Sequence, residues 1–187
     1  AVSRALTEIS SADEMTESLG AVLSADRFSE ETLEHLDLVT SVLIAYDQLK
    51  ARHPEFPVDV TVNKETGECA VLANSLLVDM FYNLMLGIVG RIGGVQSIDV
   101  EIEGSDDECS GFEITMQLGV STEEPELRRE LLFRYLKGHD QSAIEFVYAR
   151  RLLELFGGDM VWDAAADKPE HLTVHLTLFL PGTYGEA

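Results

Sequence analysis

The chain has 187 residues, 45% of them hydrophobic and 7% aromatic, enough to bury the core of one large domain or of one domain with a helical appendage. Its 34 acidic against 13 basic residues give a net charge of -21, which disfavours nucleic acid and anionic lipid, because both are held by Lys and Arg neutralising phosphate. No apolar run is long enough to span a bilayer and Ala1 to Ser10 carries no signal-peptide pattern, so a cytoplasmic protein with no direct membrane insertion is expected.

In chain order, Ser11 and Glu14 have capping-box spacing, and Met15, Leu19, Val22 and Leu23 then mark one face of a short amphipathic helix. Ser29 is placed to cap a second, longer helix in which Leu33, Leu36, Val39, Leu43, Tyr46 and Leu49 recur at helical steps. Pro54 and Pro57 stop it. Val58 to Val62 alternates as a strand, Asn63 to Gly67 offers a turn, and Cys69 to Leu72 reads as the return strand.

From Leu76 to Val89 apolar residues cover most of a helix circumference. The remaining strip carries Asp79, Asn83, Gly87 and Gly90 at helical steps. Buried Asp and Asn need partners, so this strip either faces a solvated cleft or is satisfied internally, and the cleft is the favoured expectation. Gly93-Gly94 ends the helix. Ser97 to Glu103 and Phe112 to Met116 alternate as two antiparallel strands about the acidic turn Ser105 to Ser110.

Ser121 and Glu124 begin another helix that ends at Gly138, with Leu127, Leu131, Leu132 and Tyr135 inward. Asp140 is placed to cap the next, in which Ile144, Val147, Tyr148, Leu152 and Leu155 face inward until Gly157-Gly158. Met160 to Asp163 and His171 to Leu180 close the chain as paired strands. The order predicts an α+β fold, a two-layer α/β sandwich in which helices cover a mixed, mostly antiparallel sheet. The expected organisation is a dimerisation- or linker-like helical segment over 1–53 and the sandwich over 54–187.

The spread of Asp and Glu over loops and helix faces, with no acidic tail, suits the cytoplasm of a halophilic, for instance archaeal, cell, where salt shortens the screening length to about 3 Å at 1 M. An ordinary acidic protein is the alternative. Cys69 and Cys109 lie far apart without partners at metal-ligand spacing and read as structural thiols. His171 and His175 share a strand face, where a solvated face alongside Thr173 and Thr177 is the plainer reading than a metal pair.

Asp79-x-x-x-Asn83-Leu84-x-x-Gly87, Gly157-Gly158 and Leu180-Pro181-Gly182 together resemble the ATPase domain of sensor histidine kinases, over roughly Leu36 to Gly182. The resemblance implies the GHKL fold, with Asp79 as the catalytic residue that orients a water or acts as base. Asn83 would hold a magnesium ion bridging the phosphates of ATP, a hard amide oxygen being a suitable ligand. The family's second Asn is replaced by Gly87.

The adenine-recognising segment of that family corresponds to Gln117-Leu118-Gly119-Val120-Ser121, so Gln117 and Gly119 are the further cofactor-binding positions, without the expected carboxylate and second glycine. Its later glycine cluster falls on Gln141 to Phe146, where Gln141, Ala143 and Glu145 replace glycines, crowd the phosphate approach and add negative charge. His35 invites comparison with a phosphoacceptor, but it is followed by Leu36 and only then Asp37, and reads better as an exposed helical residue.

The resemblance thus implies a degenerate kinase-like module of two-component signalling, with weak or no Mg-ATP binding. It would work through a receiver domain or a second kinase-like subunit, including a homodimer. Two alternatives stay open: an active ATP-binding kinase domain with a divergent lid, and an assembly subunit that reuses the fold.

Overall fold

The computed structural model describes residues 33–64, 69–92, 94–104, 111–121, 130, 134, 143–168 and 171–181. The expected helix from Ser11, the residues around Asp140 and the thiol of Cys109 lie outside them. Of the helix expected between Ser121 and Gly138, Glu130 and Arg134 are described; both are helical, and they form an exposed ion pair of 3.1 Å one turn apart.

Strand β1 (Glu34–Asp37) opens the described fold, where the sequence reading places the second helix. It pairs antiparallel with β3 (Ala70–Ala73) in a two-stranded sheet, with His35 opposite Leu72. His35 is therefore on a strand, a correction with a clear cause: the pairing is long-range, and Leu33 and Leu36 fit a helical period equally well.

Helix α1 (Leu38–Arg52) starts at Asp37, whose carboxylate accepts from the Thr40 backbone N–H and Thr40 Oγ1, both at 2.7 Å. Asp37 is the cap of this helix, and Ser29, the expected one, lies outside the described residues. Leu38, Val42, Ala45 and Leu49 form the buried face, while Leu43, expected inward, is 42% exposed. The Tyr46 hydroxyl donates to the Val58 carbonyl at 3.1 Å, tying α1 to the chain ahead of the next strand. These α1 residues share one apolar core with the sheet and the other helices, so the expected boundary at residue 53 does not separate two cores among the described residues.

The main sheet has the order β2-β4-β5-β7-β6, built from β2 (Asp59–Lys64), β4 (Val95–Gly104), β5 (Gly111–Ser121), β6 (Asp159–Lys168) and β7 (His171–Pro181). The pair β2/β4 is parallel and the other pairs are antiparallel. The expected β2/β3 hairpin is thereby corrected: β3 turns to β1, and β2 takes β4 as its neighbour across the intervening helix. A parallel pair requires such a crossover.

One face of this sheet is apolar, carrying Ile98, Val100, Ile102, Ile114, Met116, Leu118, Val120, Leu178 and Leu180, all buried with residues of the helix layer. Asp99, Glu101 and Gln117 alternate with them and are exposed on the other face. The two-layer α+β sandwich expected from the element order is the observed architecture.

Helix α2 (Leu76–Gly87) is apolar almost all round, as its sequence requires, and runs on as a π-helical turn over Ile88–Ile92. Helix α3 (Ile144–Leu155) ends at Gly157, whose φ of 75° admits the backbone bonds from the N–H groups of Gly157 and Gly158 to the carbonyls of Glu154 and Leu153. Its inward face is Phe146, Tyr148, Ala149, Leu152 and Leu153. Val147, expected inward, is 43% exposed. Among the described residues no helix is long and apolar enough to cross a membrane.

Candidate functional site

Helix α2 sets the site, because its polar strip is the one break in an otherwise apolar surface. Asp79, Asn83 and Gly87 lie one turn apart along it. In place of an open cleft the strip meets α3, which packs along α2. Asn83 is 8% exposed, and its Nδ2 donates to the Asp79 carbonyl at 2.8 Å. Internal satisfaction, the less favoured expectation, is what the fold provides for that amide.

Asp79 is half-buried. Burial pushes its carboxyl above the ordinary carboxylate range, and the nearby Arg52 guanidinium pulls in the opposite direction. Arg52 itself lies 5.1 Å from the centroid of the Tyr82 ring, a cation–π arrangement. The Tyr82 hydroxyl is 3.2 Å from His53 Nε2, and His53 Nδ1 is 3.1 Å from Glu55 Oε1, so the end of α1 is fastened to α2 beside Asp79.

Tyr148 of α3 reaches the same neighbourhood. Its phenol is pushed up to about 12, first by burial and then by the negative charge of Asp79. The residue is 2% exposed and its hydroxyl has no hydrogen-bond partner among the described residues. An orphaned buried hydroxyl costs about 1–3 kcal/mol, so Tyr148→Phe is expected to raise stability in urea melts at pH 7. A loss of stability would show that the hydroxyl is bonded in solution. Because the folded-state pKa is raised, the wild type's Tyr148 contribution is complete below the ordinary phenol value and disappears as pH rises through about 12.

At the far end of the strip, Gly87 faces the ring of Phe146 end-on. A Cβ at position 87 would lie 3.1 Å from two atoms of that ring and 3.2 Å from a third. Phe146 is 2% exposed. One residue earlier, Glu145 receives the fork of Arg91 from the π-helical turn: Nη2 to Oε1 at 3.0 Å, Nη2 to Oε2 at 3.2 Å and Nε to Oε2 at 3.3 Å. The first turn of α3 therefore sets its own carboxylate near the backbone N–H groups of a helix start, and holds it there with a cation from α2's extension.

Asp79, Asn83 and Gly87 are brought together; Gln117 and Gly119 are not brought to them. Gln117 lies mid-strand in β5, opposite Asp99 and His175, and is exposed on the face away from the helices. Gly119 lies against Ser97, beside the bulge between Val95 and Ser97: a Cβ there would come within 2.6 Å of Ser97 Oγ, which would have to turn aside. His35, in β1, is exposed.

Sequence reasoning missed Arg52, Arg91 and Phe146, and placed Tyr148 inward without assigning it to the site. Arg91 was the legible one, as a lone cation closing an apolar helix.

The two-layer arrangement of a mixed sheet under helices is shared with solved structures of histidine-kinase catalytic domains. AdeS, a histidine kinase of Acinetobacter baumannii, is matched with a TM-score of 0.59 at 8% identity, over 94% of this chain and 81% of that one. The catalytic domain of the histidine kinase ThkA is matched at a TM-score of 0.54 and 14% identity, over 81% of this chain and 96% of that one. The ATP-binding domain of PrrB from Mycobacterium tuberculosis is matched at 0.53 and 17%, over 81% and 98%. At these identities the likeness is one of fold. No family model matches the chain, and no curated protein is significantly similar to it.

Proposed function

We infer that this chain is a histidine-kinase-like module of two-component-type signalling in which ATP binding is weak or lost and protein contacts carry the function. A receiver domain or a second kinase-like subunit is the partner class that this reading implies. The observation behind it is the closure of the α2 strip. Position 87 carries no ligand atom and faces the Phe146 ring, Asn83 is only 8% exposed, and the first turn of α3 already holds the Glu145 carboxylate against Arg91. These residues do not fit Mg-ATP as described, because magnesium needs hard oxygens open to it together with phosphate oxygens.

Calorimetric titration of the wild type with Mg-ATP tests the reading, alongside capture of a receiver domain. Blank heats with a captured receiver domain are the expected result. Dissociation in the micromolar range, lost in Asn83→Ala, would overturn it in favour of an active ATPase domain. The retained Asp79/Asn83 spacing, and a Tyr148 hydroxyl without a partner among the described residues, are what favour that second reading.

A further inference from the structure

We propose that the outer face of α1 is a self-complementary surface that joins two copies of this chain, α1 against α1 in antiparallel order. The proposal deepens the proposed function, on which its signalling role rests, by giving the second-subunit partner a surface. Leu43 and Ile44 are 42% and 43% exposed, side by side on a helix whose opposite face is core. Thr40, Asp47 and Lys50 are exposed on the same arc, because steps of three, four and seven residues return to one side of a helix. Single exposed aliphatics are ordinary, as Val161 is on β6. An adjacent pair in mid-helix with polar groups around it has the composition of a small interface, an apolar centre inside a polar rim.

The occupant follows from charge. The chain carries a net charge of -21, so a second copy is repelled by most approaches. The α1 arc is locally balanced, with Asp37 and Asp47 against Lys50 and Arg52. In a two-fold antiparallel pairing centred between Leu43 and Ile44, residues equally far from the centre meet. Leu43 then faces the partner's Ile44, Thr40 the partner's Asp47, and Lys50 the partner's Asp37. Both cap bonds from Thr40 end on Oδ1 of Asp37, so an ammonium at the other oxygen is compatible with the cap. Lys50 Nζ lies 5.1 Å over the Tyr46 ring, at the end of a flexible stem. A parallel pairing would instead set Lys50 on Lys50 and Asp47 on Asp47.

One helix face is less than a standard interface, so the dimer is weak, with a dissociation constant on the order of 100 μM. Sedimentation equilibrium of the full chain from about 10 μM to about 1 mM tests it. Dimerisation is expected to tighten between about 0.1 M and about 1 M KCl, as the repulsion between two acidic bodies is screened. Ile44→Glu and Leu43→Glu are each expected to keep the wild-type melting temperature, since both sites are exposed, and to weaken the dimer at least about tenfold. Val161→Glu, at an equally open aliphatic on β6, is expected to leave it unchanged.

A wild type that stays monomeric throughout would overturn the proposal. So would a dimer that survives Ile44→Glu and Leu43→Glu, whichever other surface then forms it, residues 1–32 included. A dimer that loosens as salt rises would overturn the apolar centre. Calorimetry with Mg-ATP reads the proposed function separately, because α1's outer face lies away from the α2 strip.

Discussion

Phe146→Ala is expected to cost about 3–5 kcal/mol in urea melts, while Val147→Ala, one residue on, changes stability by no more than about 0.5 kcal/mol. Phe146 is 2% exposed with its ring tip against Gly87, whereas Val147 is 43% exposed on the outer side of the same helix. Removing the ring takes away both its transfer free energy and the atoms that fill the gap between α2 and α3. Helices cannot close such a gap without shifting the sheet beneath them, because interiors are close-packed. The contrast fixes the rotation of α3. Of the residues the sequence period places inward, Tyr148 and Leu152 are buried and Val147 is not; a larger cost for Val147→Ala than for Phe146→Ala would overturn the closed strip.

Asn83→Asp is expected to cost roughly 1–3 kcal/mol at neutral pH, because it loses the Nδ2 donation to the Asp79 carbonyl and buries a carboxylate facing that oxygen in its place. The new charge also lies one turn from the Asp79 carboxylate, where like charges repel. Urea melts at pH 7 and pH 4 decide it. A loss too small to measure at pH 7 would mean that the strip opens to solvent.

The sign of the pH effect follows from protonation. A raised folded-state pKa at position 83 means that the deficit shrinks on acidification, as the carboxyl regains a proton to donate. The wild type carries a weaker version of the same linkage at Asp79. Its carboxyl is raised by burial, so its contribution is complete below the ordinary carboxylate pKa and is lost as pH climbs through the raised value. The deficit of Asn83→Asp relative to the wild type is therefore largest at neutral pH and smallest in acid.

Local pattern made most elements legible. Alternation in Ser97 to Glu103 and Phe112 to Met116 belongs to a sheet wet on one face, and the apolar circumference from Leu76 onward belongs to a helix covered on most sides. Gly157-Gly158 stopped α3 because a residue at positive φ is what a helix end of that kind needs. The site was legible in part. Asp79 and Asn83 share a strip for the simple reason that four residues make about one helical turn.

Gln117 and Gly119 were assigned by resemblance to an adenine-recognising segment, and the chain makes that stretch a strand, whose period of two turns Gln117 away from the helices. Without the Gly-x-Gly that would break the ladder, the alternation of Met116, Leu118 and Val120 extends to Ser121.

The sequence by itself determined the α+β class, the period and face of most strands, and the one-turn spacing of Asp79, Asn83 and Gly87. Each of these follows from interactions between residues near in the chain. Tertiary structure alone decided that β1 is a strand, that β2 runs parallel to β4, and that the α2 strip is covered by α3 with Phe146 on Gly87. Those outcomes depend on groups tens of residues apart, and on shape and not polarity. A period tells which residues share a face, but only packing decides what that face meets.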